Sequence, residues 1–80
     1  MESIKALNMY KNHGPLPLDI ARKLLANNKY ARLTGYCSGP NTWNGPYPYA
    51  CIDLCDLQTT IHAYDPDEEL RDMFGCSEEL

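Results

Sequence analysis

The sequence predicts a small α+β domain with the order α-α-β-β-β-α and a short antiparallel sheet. Three observations lead to this order. The 80 residues suffice for one domain only. Apolar residues recur at helical spacing early in the chain and alternate with polar residues further on. An acidic, proline-containing segment then opens a last helical pattern. We expect one domain over residues 1–75 and a mobile acidic tail over residues 76–80.

The first helix is predicted over residues 3–12. Its apolar positions, Ile4, Leu7 and Tyr10, recur at helical spacing. Ser3 is a good capping residue, and the Gly14-Pro15 pair ends the segment.

The second helix carries the clearest amphipathic pattern. Pro17 suits the first turn of a helix, and Asp19 favours the positive end of the helix dipole. The apolar stripe comprises Ile20, Ala21, Leu24 and Leu25. We expect this stripe to face the core.

The first strand is predicted over residues 30–37. Its side chains should alternate, with Ala31, Leu33 and Cys37 nearer one face and Tyr30, Arg32, Thr34 and Tyr36 on the other.

Residues 49–64 allow two interpretations. The β-formers Tyr49 and Ile52 and the run Thr59-Thr60-Ile61 predict two strands, over residues 49–55 and 58–64. A helical stripe also fits, through Ala50, Leu54, Leu57, Ile61 and Tyr64. We favour the strands because β-branched residues are concentrated there.

The connection over residues 38–48 holds three prolines and two glycines, which excludes a regular element. Aromatic residues crowd into and around it: Tyr36, Trp43, Tyr47 and Tyr49. Tyrosine and tryptophan are common anchors at protein interfaces, and the prolines lower the cost of ordering the loop on binding. We therefore predict a partner-binding loop. The alternative is that Trp43 folds back and covers the edge of a small core.

The last helix has clear boundary signals. Asp65 is predicted as its N-cap, Pro66 as its first residue, and Glu68 completes a capping-box pattern. Leu70, Met73 and Phe74 form the predicted buried face, and Gly75 ends the helix.

The net charge of −4 hides an asymmetry. Residues 1–36 hold six basic against two acidic residues, a balance of +4, whereas residues 37–80 hold one against nine, a balance of −8. The acidic half predicts binding to a basic partner surface; the alternative is a solvated helix surface. The candidate residues are Asp53, Asp56, Asp65, Asp67, Glu68, Glu69 and Asp72. No basic stripe exists for direct nucleic-acid binding.

Catalytic, transmembrane and secretory signals are missing from the sequence. It has two histidines and no P-loop, nucleophile elbow, HExxH or GxGxxG motif, so we expect no enzyme activity. No apolar run approaches the length of a membrane span, and the first residues lack the apolar region of a signal peptide. We therefore expect a cytoplasmic protein.

The four cysteines are expected to be reduced thiols, without a metal or other cofactor, because cytoplasmic chains rarely hold disulfides. Two alternatives stay open. One is a zinc site from Cys51, Cys55 and His62, with Cys37 or Cys76 as a fourth ligand. The other is a disulfide.

In its length, its acidity and its lack of a catalytic motif, the chain resembles small phage-encoded inhibitors such as anti-CRISPR proteins. The resemblance implies a non-enzymatic protein that blocks a nucleic-acid-handling complex in the cytoplasm of a bacterial host, where its acidic surface would occupy phosphate-binding sites. Two other functions remain as alternatives: a small zinc- or thiol-dependent regulatory module, and an accessory subunit that homodimerises through its tyrosine-rich face.

Overall fold

A computed structural model of the chain describes residues 2–39 and 48–75. The described elements are α1 (Ser3–His13), α2 (Leu18–Asn27), β1 (Ala31–Cys37), β2 (Tyr49–Leu54), β3 (Thr59–Tyr64) and α3 (Glu69–Phe74). The strands form one antiparallel sheet in the order β1-β2-β3. The predicted fold class and element order are confirmed, and residues 49–64 contain two strands. The predicted tail over residues 76–80 lies outside the described residues.

None of the helices within residues 2–39 and 48–75 has the length and apolar character needed to cross a bilayer.

The sheet has two faces, which we call the core face and the second face. Ile52 of β2 pairs with Leu33 of β1 and with Ile61 of β3, and all three are buried on the core face. Their neighbours point the opposite way because side chains alternate along a strand. Cys51 of β2 and its partner His62 of β3 therefore lie on the second face.

A β-bulge at Thr34 interrupts this alternation in β1. Leu33 pairs with Ile52 and Gly35 pairs with Cys51, so two steps along β1 match a single step along β2. One extra residue exchanges the faces of all the residues that follow it in the strand.

Because of the bulge, Tyr36 and Cys37 lie on the opposite faces of β1 from those predicted. Tyr36 pairs with the buried Ala50 and packs against the core, whereas Cys37 lies on the second face. The sequence alternation had placed Cys37 with Leu33 and Tyr36 on the opposite side. That prediction is wrong beyond Thr34, because regular alternation holds only where the register is unbroken.

The segment between α1 and α2 extends the sheet at the outer edge of β3. The Leu16 amide donates to the His62 carbonyl at 3.0 Å, and the Tyr64 amide donates to the Leu16 carbonyl at 2.9 Å. The Leu16 side chain is fully buried. This parallel bridge fixes the turn between the two helices against the sheet.

Apolar side chains from all six elements fill the core between the helices and the core face. The cluster comprises Ala6, Leu16, Ala21, Leu24, Ala31, Leu33, Ala50, Ile52, Leu54, Ile61, Ala63 and Leu70. The stripe predicted for the second helix is confirmed, since Ala21 and Leu24 are fully buried and Ile20 and Leu25 pack beside them.

The beginnings of α1 and α2 differ from the prediction. Ile4 is 50% exposed, and α1 buries Ala6 and Ser3 instead. The Ser3 hydroxyl does not cap the helix, because it donates to Asp56 at 2.8 Å. Pro17 occupies the N-cap position of α2 and precedes its first turn.

The last helix is shorter than predicted. It begins at Glu69, so Pro66 belongs to the preceding turn. Of its three apolar residues only Leu70 is buried, whereas Met73 is 53% and Phe74 is 38% exposed. The predicted buried face is therefore wrong for two of its three members.

The most direct test of this core is Leu24→Ala, which removes a fully buried side chain of α2. We expect the free energy of unfolding to fall by about 2–5 kcal/mol, because the neighbours cannot fill the cavity. Lys23→Ala, at an exposed neighbouring position, is the control and should change stability by less than about 0.5 kcal/mol. Urea unfolding followed by circular dichroism measures both. Equal effects of the two substitutions would contradict this packing.

Candidate functional site

Asp65 and Tyr36, both predicted to bind a partner, are joined inside the protein. The Asp65 carboxylate is fully buried, and it accepts hydrogen bonds from the amides of Glu69 and Leu70, both at 2.9 Å. The Tyr36 hydroxyl donates to the same carboxylate at 2.6 Å and accepts from the Arg71 amide at 3.2 Å. These bonds attach the first turn of α3 to β1. The prediction that Asp65 contacts a partner therefore gives way to a structural role.

The environment of Tyr36 stabilises its protonated hydroxyl. Burial, and then the hydrogen bond to Asp65, raise the pKa of Tyr36 well above its ordinary value. The guanidinium of Arg71 also lies over the ring, 5.1 Å from its centroid.

Two of the acidic residues that were predicted to contact a partner form ion pairs within the chain. Glu68 lies 2.7 Å from Arg71, and Glu69 lies 3.5 Å from Arg22. Both pairs are substantially exposed, so they contribute little to stability, but they reduce the charge that these two carboxylates present to solvent.

Asp67 and Asp72 are exposed, and neither is in an ion pair among residues 2–39 and 48–75. The same segment of the chain holds Met73 and Phe74, the two apolar side chains of α3 that the core leaves out. We call the exposed residues Asp67, Asp72, Met73 and Phe74 the α3 surface. Within residues 65–75, the exposed acidic charge outside ion pairs is therefore on Asp67 and Asp72.

The other predicted site residues lie elsewhere. Asp53 is half-buried on the second face of the sheet. In the strand register it lies opposite Arg32 of β1 and Thr60 of β3. Tyr49 is only 5% exposed and packs edge-on against Tyr64, so its ring is not available as a surface anchor. The predictions for Trp43 and Tyr47 lie outside the described residues.

Asp56 lies at an open cleft with a volume near 440 Å³ between the start of α1 and the end of α2. Asn28 donates to the Ser3 hydroxyl at 2.8 Å, which in turn donates to Asp56 at 2.8 Å. This chain of hydrogen bonds joins α1, α2 and the β2–β3 turn, which accounts for the polar residues there as elements of the fold.

A group of metal-ligating side chains meets on the second face of the sheet. One ligand atom each from Cys37, Cys51 and His62 lies within 4.8 Å of the others. The two sulfurs are 3.4 Å apart. We call these three residues the thiol–imidazole cluster. All three are partly exposed, so small solutes can reach them.

Tyr10 of α1 completes the surroundings of this cluster. Its hydroxyl lies 2.9 Å from Nδ1 of His62. Burial, and then the two thiols, raise the pKa of Tyr10. Burial lowers the pKa of His62, which favours the neutral imidazole.

The cluster differs from the zinc site considered from the sequence. Cys55 lies on the exposed β2–β3 turn, and its thiol donates to the Tyr30 carbonyl at 3.3 Å. Cys37 takes its place because the bulge turns it towards Cys51. Glycine inside a strand is a signal for a bulge, and Gly35 was the one sequence feature that could have indicated this grouping.

The role of the Tyr36–Asp65 link can be tested with Tyr36→Phe, which removes one hydrogen-bond donor to the buried carboxylate. We expect a loss of about 1.5–3 kcal/mol in the free energy of unfolding at neutral pH, because the lost bond is made to a charged group. Tyr30→Phe is the control, since Tyr30 is exposed on a turn, and should change stability by less than about 0.5 kcal/mol. Equal losses would contradict the structural role.

The difference in stability between wild type and Tyr36→Phe should depend on pH. Because the pKa of Tyr36 in the fold is raised above its ordinary value of 10.0, the unfolded chain loses this proton first as the pH rises. The stability that Tyr36 contributes is therefore complete below pH 10.0 and declines above it. The difference between wild type and Tyr36→Phe in urea unfolding should narrow above that pH. A difference that stays constant or widens would contradict the shift.

Comparison with known proteins found no matching family model, no matching curated protein and no matching solved structure for this chain.

Proposed function

We propose that the protein is a non-enzymatic interaction protein, of the kind represented by phage-encoded inhibitors such as anti-CRISPR proteins. Its α3 surface binds a basic surface with which a host protein complex handles nucleic acid. The observation that carries this proposal is the exposure of Met73 and Phe74 in a segment that also holds the exposed carboxylates of Asp67 and Asp72.

The apolar part of the α3 surface supports a protein partner. Met73 and Phe74 are consecutive and both exposed, although apolar side chains of this size are usually buried. Methionine and aromatic residues are enriched at protein interfaces, where a partner removes them from water. Such a contact would stabilise the complex through apolar burial.

The charge distribution specifies the chemistry of the partner. Residues 37–80 carry a balance of −8, and Asp67 and Asp72 are outside the ion pairs of the described residues. A negative surface attracts a positive one over distance and accelerates association. Lysine- and arginine-rich sites that bind phosphates present this complementary charge, so a carboxylate pair suits them as a substitute for phosphates.

The α3 surface is held in place before any partner arrives. Asp65 fixes the first turn of α3 through two amides, and Leu70 anchors the helix in the core. A surface that is already ordered loses less conformational entropy on binding.

The proposal is tested on a partner captured from a bacterial lysate with tagged wild-type protein and then purified. Asp67→Lys/Asp72→Lys should slow association, and the wild-type association rate should fall as salt screens the attraction. Glu2→Lys/Asp19→Lys, which makes the same charge change at exposed positions of the basic half, should have a much smaller effect. Surface-plasmon kinetics measures the rates.

Two further measurements can contradict the proposal. Nucleic acid should compete with the protein for the purified partner. If nucleic acid does not compete, the two do not bind the same phosphate-binding surface of the partner. Met73→Ala/Phe74→Ala should speed dissociation from the partner, with a cost of at least about 2 kcal/mol if these residues are anchors. If light scattering instead shows a wild-type dimer that this variant converts to monomer, the α3 surface is a homodimer interface.

A further inference from the structure

We propose that Cys37, Cys51 and His62 form a zinc site with three protein ligands on the second face of the sheet. This site goes beyond the proposed binding of a partner, which uses the α3 surface.

The distances in the thiol–imidazole cluster are close to those that zinc requires. Zn–S bonds of about 2.3 Å and Zn–N bonds of about 2.0–2.1 Å in a tetrahedron place two sulfurs about 3.8 Å apart and sulfur and nitrogen about 3.6 Å apart. The two sulfurs here are separated by 3.4 Å, and all three ligand atoms lie within 4.8 Å of one another. Small side-chain rotations suffice to reach the tetrahedral distances.

The backbone holds the three ligands before the metal binds. Cys51 and His62 are directly opposite each other in the pairing of β2 with β3. The bulge in β1 brings Cys37 to the same face. Since each ligand comes from a different strand of one hydrogen-bonded sheet, binding orders only side chains and leaves the backbone as it is.

The ligand set selects the class of metal. Two thiols and an imidazole suit zinc, whereas magnesium and calcium require oxygen ligands. The group that the described residues bring together contains no carboxylate. Binding breaks the two S–H bonds and releases two protons to the solvent as the two thiolates bind the metal.

Tyr10 provides the support that metal-bound histidines usually have. Its hydroxyl lies 2.9 Å from Nδ1 of His62 and can accept the Nδ1 hydrogen. In that tautomer the lone pair is on Nε2, so the proposal assigns Nε2 as the metal ligand. Tyr10 is therefore a positioning residue.

The connection that follows Cys37 in the sequence offers no fourth thiol, imidazole or carboxylate ligand. The connection over residues 38–48, which joins Cys37 to β2, contains no Cys, His, Asp or Glu. Three protein ligands and a water molecule form the arrangement in which zinc remains accessible to a further ligand.

The test uses the full chain, reduced and freed of metal. Zinc is titrated in competition with a chromophoric chelator, and cobalt is used as a spectroscopic substitute. We expect one equivalent per chain, a thiolate-to-cobalt charge-transfer band and the strong visible bands of a tetrahedral centre. Cys37→Ser, Cys51→Ser and His62→Ala should each abolish binding at the metal concentrations that saturate wild type. Circular dichroism of the metal-free variants checks that they fold.

Two control variants separate this site from general thiol binding. Cys55→Ser/Cys76→Ser leaves Cys37 and Cys51 as the remaining thiols and should retain one equivalent of zinc with unchanged affinity. Tyr10→Phe should retain the stoichiometry and weaken binding about 10–100-fold, the usual effect of removing such a support. If a ligand variant fails to fold, the cobalt spectrum of the control variant still identifies its two thiolates.

The proposal is overturned if the reduced wild-type chain takes up no zinc, or if the Cys55→Ser/Cys76→Ser variant loses binding as Cys51→Ser does. It is also overturned if uptake survives all three ligand substitutions. Formation of a Cys37–Cys51 disulfide with hydrogen peroxide, in a chain that takes no zinc when reduced, would assign the pair to redox chemistry instead.

Discussion

The bulge at Thr34 is the constraint on which both the attachment of α3 and the thiol–imidazole cluster depend. The register shift between Leu33 and Gly35 adds one residue to β1, and the residues after it exchange faces. Tyr36 is thereby turned to the core face, where its hydroxyl reaches Asp65. Cys37 is turned to the second face, where its sulfur lies 3.4 Å from that of Cys51. In a regular strand, neither contact would form.

The contact between Tyr36 and Asp65 also explains how so short a helix is kept. An isolated helix of six residues is unstable in water, because nucleation costs more than its few hydrogen bonds return. Here a buried carboxylate satisfies two amides at its start, and Leu70 is buried in the core. Since these interactions hold α3 at its beginning, Met73 and Phe74 near its end need not pack against the core.

Much of the fold could be predicted from the sequence because its signals are local. The amphipathic stripe of α2 and the β-branched residues of β3 each report on their own segment, and both predictions are confirmed. The prediction of Asp65 as N-cap is wrong in position, because Glu68 occupies the N-cap and the helix starts at Glu69. The Asp65 side chain still accepts hydrogen bonds from helix amides, those of Glu69 and Leu70. The faces of β1 could not be predicted, because one extra residue reverses an alternation without changing the composition.

The members of the thiol–imidazole cluster could not be predicted from sequence spacing, because the cluster depends on long-range strand pairing. Spacing along the chain grouped Cys51 with Cys55, whereas strand pairing groups Cys51 with His62 and Cys37. Residues 14 apart, such as Cys37 and Cys51, are brought together by the register of two strands, which sequence spacing does not report. Because Tyr36 and Cys37 are consecutive and point to opposite faces, a side-chain substitution at one leaves the other in place. A deletion within the bulge would displace both at once, which makes the backbone of β1 the shared element of the helix anchor and the thiol–imidazole cluster.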